Sequence, residues 1–186
     1  MMAIIMAGGR GSRMDFVEKP LIRIGNETML ERVANALSGA DLDALVAVSE
    51  YTPKTAEKAR EMGLRVVGTP GDGYIPDCQF LLDRFNLDSA LVVSADLPFI
   101  SPKLIREVIE EYNQIRKPLC VAISEREYTS MGFTPSITIR DNNEVLVPVG
   151  INVMERKEKE NHIHIISGRG AININTIKEL ERVKCQ

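Results

Sequence analysis

Short runs of aliphatic and β-branched residues alternate with stretches of helical periodicity through the first two thirds of the chain. The runs lie at residues 3–6, 44–49, 64–68, 90–94 and 119–123, and we predict a strand at each of them. None alternates cleanly between apolar and polar residues, as is typical of strands covered on both faces. The pattern therefore predicts an α/β fold with a Rossmann-like, mostly parallel central sheet flanked by helices.

The helix starts between these strands share cap chemistry. Each of four starts carries either a capping box or a cap residue before a proline at the first helical position. The pairs are Thr28 with Glu31, Thr52 with Pro53, Ser101 with Pro102, and Thr176 with Glu179. We expect the last pair to open a final helix that runs through Val183.

The pattern changes after about residue 125. Two apolar runs at 136–139 and 145–147 flank Asp141-Asn-Asn143, which is a hairpin signature. This predicts a small antiparallel hairpin insertion, followed by a late strand at 162–166. Because the sequence has no repeat, low-complexity tract or linker, we expect a single domain over residues 1–186.

Composition excludes several classes of protein. The 186 residues include 23 Lys and Arg against 26 Asp and Glu, so the basic excess that binds nucleic acid is missing. The longest apolar runs are far shorter than the roughly 18 residues of a membrane span, and the N-terminal run lacks signal-peptide anatomy. We expect a cytoplasmic protein that binds no nucleic acid, and whose three cysteines are reduced.

The most informative segment follows the first strand and reads Met6-Ala-Gly-Gly-Arg-Gly-Ser-Arg-Met14. Its small residues let the backbone approach a ligand closely, and its arginines add positive charge, which together predict a phosphate cradle. The residues concerned are Ala7, Gly8, Gly9, Arg10, Gly11 and Arg13. The spacing fits neither the Walker A motif nor the dinucleotide fingerprint. An ordinary tight turn is the alternative interpretation.

Lys19 lies just beyond this loop, within Glu18-Lys-Pro-Leu21. Pro20 biases Lys19 toward an extended backbone, from which its ammonium can point at the same phosphates. The alternative is a solvated surface lysine. The convergence of three cations on one glycine-rich loop favours the phosphate site.

Two further strand ends carry candidate ligand groups. Asp96 follows the strand at 90–94, where open α/β sheets bind ligands, and a single carboxylate beside substrate phosphates suits magnesium. A turn aspartate before Pro98 is the alternative. Asn173 and Asn175 lie two residues apart, so they share a face if that segment is extended.

A second glycine loop, from Thr69 to Asp77, follows the strand at 64–68. Gly71 and Gly73 would let backbone N–H and C=O groups reach the edge of a flat base, and Tyr74 offers a ring for packing. We therefore place Thr69, Gly71, Gly73 and Tyr74 in a nucleotide site, with an ordinary surface loop as the alternative.

The glycine-rich segment followed by Glu18-Lys-Pro-Leu21 resembles the signature of a nucleotidyltransferase superfamily. That superfamily includes the molybdenum-cofactor guanylyltransferases and the sugar-phosphate nucleotidyltransferases. The resemblance implies a loop that wraps a triphosphate, with Lys19 on its phosphates and Asp96 as a metal ligand. Its members end in a similar Asn-x-Asn-Thr segment, which implies a second metal-binding role for Asn175, with Asn173 as its neighbour. The implied metal is Mg2+.

Segments along nearly the whole chain, including Val147-Pro-Val-Gly-Ile-Asn-Val153, resemble the archaeal GTP:adenosylcobinamide-phosphate guanylyltransferase family. The resemblance implies GTP as substrate, a corrinoid phosphate as acceptor, a nucleotide-binding half over 1–125 and an acceptor-binding half with a closing helix over 126–186. It places Gly150 and Asn152 near the ribose or the acceptor. The chain departs from the family at Asp72, where lysine is more common, and at Pro76, where an acid is. Family habit suggests a homodimer, although no patch marks its interface.

The mechanism that we expect is in-line attack by an acceptor phosphate oxygen on the α-phosphorus of GTP, with pyrophosphate leaving. Arg10, Arg13, Lys19 and a magnesium ion on Asp96 would position the groups and neutralise their charge. Two alternatives stay open: the same chemistry on molybdopterin or a sugar phosphate, and a non-catalytic nucleotide-binding module. His162 and His164 share a predicted strand face without an evident third metal ligand, which favours a polar face over a metal site.

Overall fold

The computed structural model describes residues 1–11, 17–157, 162–168, 170 and 172–184. Within this part of the chain the strands are β1 Met2–Met6, β2 Arg23–Ile24, β3 Glu27–Thr28, β4 Ala44–Val48, β5 Arg65–Gly68, β6 Ser89–Ser94, β7 Leu119–Ser124, β8 Ile139–Asp141, β9 Glu144–Glu155 and β10 His162–Ile165. The helices are α1 Met29–Ser38, α2 Pro53–Glu61, α3 Tyr74–Arg84, α4 Pro102–Ile115, α5 Glu125–Ser130 and α6 Ile177–Lys184. No helix in the described residues is both long and apolar enough to cross a bilayer.

The strands form one central sheet in the order β10-β7-β9-β6-β1-β4-β5, and β8 pairs with the start of β9. Four neighbours, β6, β1, β4 and β5, run parallel, as do β10 and β7. β2 and β3 form a separate two-stranded antiparallel hairpin. The prediction of a mostly parallel sheet flanked by helices is therefore confirmed.

Both faces of the sheet are buried, which explains why its strands are continuously apolar. Along β1, Ile5 packs into the larger core with Leu30 of α1, whereas its neighbour Ile4 packs on the opposite face with Leu81 of α3. Both isoleucines are fully buried. Each residue of such a strand contributes to one core or the other, so polar alternation would cost stability.

The chain changes direction across the sheet at β1. From β1 it passes through α1 to β4 and then β5, and it returns through α3 to β6 on the other side of β1. Just beyond these two strands, the Ala95 backbone N–H donates to the Met6 carbonyl at 3.0 Å. The carboxyl ends of β1 and β6 thus meet at a topological switch point, where open α/β sheets bind ligands.

The predicted hairpin after residue 125 is present, but the strand that follows its turn is longer than expected. Asn142 and Asn143 have φ of 44° and 69°, as a type I′ turn requires, and join β8 to β9. β9 continues to Glu155 and lies antiparallel between β6 and β7. The predicted antiparallel hairpin is thus confirmed, and its second strand extends into the centre of the sheet.

All four predicted helix starts are confirmed, and three of them carry a side-chain cap hydrogen bond. Thr28 and Glu31 form a reciprocal capping box, Thr176 and Glu179 form another, and the Ser101 hydroxyl accepts from the Leu104 N–H. Thr52 is the N-cap residue before Pro53, as predicted, but its side chain makes no cap hydrogen bond to α2. Its hydroxyl instead accepts from the Ser49 N–H at 3.2 Å, inside the turn that precedes α2.

The α1 capping box perturbs the Glu31 carboxyl. The backbone hydrogen bond from Thr28 and then the side-chain bond from Lys58 lower its pKa from 4.5 to about 2. The Lys58 ammonium lies 2.9 Å from the carboxylate, so Glu31 also ties α1 to α2. Its contribution to stability depends on the ionised form.

Candidate active site

A cleft of about 460 Å³ opens at the switch point between β1 and β6. The predicted site residues that line it are Ala7, Gly8, Gly9, Arg10, Gly11, Lys19, Gly71, Gly73, Tyr74 and Asp96. The structure thus brings together three segments that lie far apart in sequence. Arg13 lies outside the described residues.

The glycine-rich loop leaves β1 in close contact with the end of β4. Its first N–H, that of Ala7, donates to Ala47 at 2.8 Å, and the Gly8 carbonyl accepts from the Ser49 hydroxyl at 2.6 Å. The Arg10 guanidinium lies 4.5 Å from the centre of the Tyr51 ring, within cation–π range. Ser49 and Tyr51 thereby hold the loop and its arginine against the body of the domain.

Lys19 is not a solvated surface lysine. Its side chain is only 17% exposed, and its ammonium lies 3.6 Å from the Asp96 carboxylate. It also donates to the Ile174 carbonyl at 3.2 Å and to Asn175 Oδ1 at 3.3 Å. Contrary to the expectation of an extended backbone, Lys19 begins a 3-10 turn. That turn directs a cation to the end of β6.

Glu18 fixes the segment that carries Lys19. Its carboxylate accepts from the Thr55 N–H at 2.6 Å, the Thr55 hydroxyl at 2.7 Å and the Lys54 N–H at 3.1 Å. These bonds satisfy the free N–H groups at the start of α2, where the local Thr52 side chain provides no cap. The negative charge also suits a helix N-terminus.

Asp96 and Asn175 present their oxygens to the same point. Asp96 follows β6, and its carbonyl accepts from the Ile174 N–H at 3.0 Å, which joins the two segments. The Lys19 ammonium is within 3.6 Å of the Asp96 carboxylate and 3.3 Å of the Asn175 amide oxygen. A carboxylate and an amide oxygen are hard donors, so this pair fits Mg2+ completed by substrate phosphates.

Glu179 positions Asn175 from behind. Its buried carboxylate accepts from the backbone N–H groups of Asn175 at 2.8 Å, Thr176 at 3.0 Å and Thr134 at 3.3 Å. Asn173 takes a different partner, because its Oδ1 accepts from the Tyr128 hydroxyl at 2.8 Å. Of the two asparagines, Asn175 is therefore the one that contacts Lys19.

Asp77 organises the second glycine loop. Its carboxylate, 5% exposed, accepts from the Gly71 N–H at 3.0 Å and the Asp72 N–H at 3.3 Å, and it lies 3.0 Å from the Thr69 hydroxyl. Gly71 has φ of 81°, and a Cβ there would lie 3.3 Å from Tyr51, so the turn requires glycine. The Gly71 N–H, expected to reach a base edge, is instead bonded to Asp77.

Tyr74 and Asn152 form a pair at the floor of this loop. The Asn152 amide donates to the Tyr74 hydroxyl at 2.8 Å. Burial raises the pKa of Tyr74 well above its usual value, so the phenol stays protonated. Asn152 thus contacts Tyr74, which lines the cleft, but Asn152 is not itself among the described residues that line it.

Gly150 contacts the end of β6. It has φ of 78°, and a Cβ at this position would lie 2.6 Å from Ser94 Oγ, so the close approach of β9 to β6 requires glycine. Ser94 lines the cleft. The described residues that line it do not include the predicted site residues Thr69, Gly150 and Asn175. The requirement for glycine at position 150 therefore follows from its packing against Ser94.

The site depends on buried polar residues that were not predicted from the sequence. Asp77 and Glu179 each hold a loop that carries predicted site residues, through backbone N–H groups of that loop. Both are acids in the first turn of a helix, which is the signal that could have identified them. Glu18 has no local signal, since its partners lie 36 and 37 residues away.

The two histidines lie on the edge strand β10. His162 Nε2 and His164 Nδ1 are 3.6 and 3.8 Å from one oxygen of Glu111. No group of three His, Cys, Asp or Glu side chains among the described residues could hold a metal ion. The geometry gives these histidines a shared acidic neighbour on α4.

Comparison with known proteins gives similarity over almost the entire chain. Residues 3–166 match the family model of the MobA-like NTP transferase domain. An adenosylcobinamide-phosphate guanylyltransferase from Methanocaldococcus jannaschii is 33% identical over 193 residues, covering 96% of this chain and 93% of the relative. A probable molybdenum cofactor guanylyltransferase from Clostridium perfringens is 24% identical over 194 residues, with the same two coverages of 96% and 93%.

Solved structures show the same fold at low sequence identity. A CMP:2-keto-3-deoxy-manno-octonic acid synthetase complexed with CTP superposes with a TM-score of 0.74 at 16% identity, over 99% of this chain and 96% of that one. The bifunctional IspDF from Campylobacter jejuni superposes with a TM-score of 0.67 at 16% identity, over 98% of this chain and 53% of that one. Both likenesses concern the fold alone.

Proposed function

The chain belongs to the MobA-like NTP transferase family, and from this premise we propose that it transfers GMP from GTP to adenosylcobinamide phosphate. The products would be adenosylcobinamide-GDP and pyrophosphate. The observation that carries the proposal is the Lys19 ammonium between the Asp96 carboxylate and the Asn175 amide, beside a glycine-rich cleft. The acceptor is inferred from the full-length similarity to the guanylyltransferase of Methanocaldococcus jannaschii.

In this proposal the triphosphate lies along the glycine-rich loop. Backbone groups of residues 7–11 approach its oxygens, and Arg10, Arg13 and Lys19 supply positive charge. The proposal is supported by the cleft that this loop lines and by the bonds that hold the loop to Ser49. The base then extends toward Gly71, Gly73 and Tyr74 on the second loop.

A magnesium ion fits beside Lys19. The Asp96 carboxylate and the Asn175 amide oxygen would hold it, and when bound it would neutralise charge on the phosphate oxygens. Lys19 would leave part of its contact with these two side chains to meet the phosphates. Glu179 would keep the Asn175 backbone in place through that change, because its bonds go to N–H groups rather than to the side chain.

The reaction requires little proton chemistry from the protein. An oxygen of the acceptor phosphate forms a bond to the α-phosphorus of GTP, and the bond from that phosphorus to the bridging oxygen of the β-phosphate breaks. The nucleophile is already ionised at neutral pH, so no general base is needed. Positioning and charge neutralisation by Lys19, Arg10 and Arg13 are the tasks left to this chain.

The acceptor would approach from residues 126–153. A corrinoid is large, so it needs an open surface, and β9 brings Gly150 and Asn152 to the side of the cleft that Tyr74 and Ser94 line. We place both residues near the acceptor or the ribose. Asn152 would act through the Tyr74 hydroxyl, and Gly150 through its close approach to Ser94.

Acceptor competition tests the proposal. Purified protein is incubated with GTP, Mg2+ and adenosylcobinamide phosphate, molybdopterin or a sugar phosphate, and pyrophosphate and nucleotide-linked products are measured. Of the three acceptors, we expect only adenosylcobinamide phosphate to give a product. Product with molybdopterin and none with the corrinoid would replace the acceptor and keep the nucleotidyltransferase chemistry. If GTP binds but no pyrophosphate is released with any of the three acceptors, the result would favour a non-catalytic nucleotide-binding module.

A further inference from the structure

We infer that the Asp72 carboxylate reads the guanine ring of the bound nucleotide by accepting hydrogen bonds from its N1–H and 2-amino groups. The inference rests on the proposed use of GTP and adds the residue that selects the base. Asp72 lines the cleft between Gly71 and Gly73.

The second glycine loop has few N–H groups to offer a base. Those of Gly71 and Asp72 both point to the buried Asp77 carboxylate, at 3.0 and 3.3 Å. Buried carboxylates of this kind hold their donors firmly, since releasing them would leave a charge without partners. The loop must therefore recognise a base chiefly with acceptors, and the strongest acceptor that it presents to the cleft is the Asp72 side chain.

The Asp72 side chain is exposed, and its carboxylate has no hydrogen bond or ion pair among the residues that the structure describes. Positive φ at both neighbours, 81° at Gly71 and 125° at Gly73, places it at the tip of a tight turn. Its backbone is nevertheless fixed, because Asp77 binds its N–H and α3 begins at Tyr74. The backbone of Asp72 is thus held in place while its carboxylate can still accept hydrogen bonds from a ligand.

Base chemistry makes guanine the partner. An ionised carboxylate only accepts hydrogen bonds, and its two oxygens match two adjacent donors. Guanine presents such a pair in N1–H and the 2-amino group. Adenine and cytosine place an acceptor beside their amino group, and uracil places its single N–H between two carbonyls. These three bases would bring lone pairs against the carboxylate.

Charge supports the same conclusion. A carboxylate in a cleft that takes a triphosphate repels the substrate unless it faces hydrogen-bond donors. Asp72 lines the same cleft as Arg10 and Lys19, and both Arg10 and Asp72 lie near Tyr51. In the proposed orientation the phosphates meet the two cations and the base extends along the second glycine loop to Asp72. Guanine in that position turns an unfavourable charge into a source of selectivity.

The test is the affinity ratio of GTP to ITP, because inosine lacks only the 2-amino group. Calorimetric titrations with GTP, ITP and ATP in Mg2+ compare the wild type with Asp72→Asn and Asp72→Ala. All three ligands carry the same phosphates, so an effect of the lost charge on phosphate binding cancels in the ratios. The matched control is Asp83→Asn, an exposed acid in the last turn of α3 with the same change of charge.

We expect the wild type and Asp83→Asn to prefer GTP over ITP by roughly ten- to hundredfold. In both Asp72 variants that ratio should fall to about two or less, chiefly through weaker GTP binding. A structural role of Asp72 would weaken all three nucleotides equally and keep the ratio, which would overturn the inference. Equal binding of GTP and ITP by the wild type would also overturn it. Preference of the wild type for ATP over GTP would instead refute the proposed function.

Discussion

Asp77→Ala tests the claim that one buried carboxylate holds the second glycine loop. The substitution removes the acceptor of the Gly71 N–H at 3.0 Å, the Asp72 N–H at 3.3 Å and the partner of the Thr69 hydroxyl at 3.0 Å. Hydrogen bonds to a charged group contribute about 1.5–3 kcal/mol each. Because Asp72 is exposed, its N–H can turn to water, so we count between one and two lost bonds and expect a loss of about 3 kcal/mol.

Thermal unfolding converts this loss into a measurable shift. In a domain of this size 1 kcal/mol corresponds to about 2–4 °C, so Asp77→Ala should melt about 6–12 °C below the wild type. Asp83→Ala removes an exposed acid from the far end of the same helix and should melt within about 2 °C of it. Asp77→Asn keeps one acceptor oxygen and should fall between the two. Equal melting of Asp77→Ala and Asp83→Ala would refute the reasoning.

Three further predictions follow from the geometry. Glu31, with its pKa of about 2 in the folded state against 4.5, adds stability that is complete above pH 4.5 and is lost as the pH falls toward 2. This loss of unfolding free energy is at most about 3 kcal/mol. Urea unfolding measured at a series of acidic pH values would detect it, and the Glu31→Gln variant should not show it. Gly150→Ala should cost about 2 kcal/mol or more, because its Cβ would lie 2.6 Å from Ser94 Oγ at a φ of 78°. Asp96→Ala should reduce turnover at least about 100-fold while the melting temperature changes by less than about 4 °C.

Each of these has a control. Parallel acid profiles of the wild type and Glu31→Gln would remove Glu31 from the account of acid stability. Adding Ser94→Gly to Gly150→Ala should recover part of the lost stability. If the destabilisations of the two single variants simply add, the alanine side chain at position 150 does not clash with Ser94. Asp96→Ala with wild-type turnover would exclude Asp96 from the metal site. Loss of stability without loss of turnover would make it a structural residue.

Local patterns predicted the parallel half of the fold. Strands buried on both faces are apolar throughout, and Ile4 and Ile5 supply opposite cores, so β1 could be identified without knowledge of its neighbours. The glycine-rich loop and Asp96 both follow such strands. The rule that ligands bind at strand carboxyl ends was therefore enough to place them in one cleft.

Interactions between distant segments account for the rest. β9 is antiparallel between β6 and β7, and no local pattern specifies which strands it will separate. The α2 cap comes from Glu18, 36 residues before the first N–H that it binds. Glycine at position 150 is required by Ser94, 56 positions earlier in the chain, so no local pattern explains it.

The fate of the α-phosphate tests the central claim most directly. GTP labelled at the α- or the γ-phosphorus is incubated with Mg2+, adenosylcobinamide phosphate and either the wild type or Asp96→Ala. The account predicts that the α-label enters the corrinoid product, that the γ-label leaves in pyrophosphate, and that Asp96→Ala does neither. Transfer of the γ-label to the acceptor, or release of inorganic phosphate in place of pyrophosphate, would contradict it.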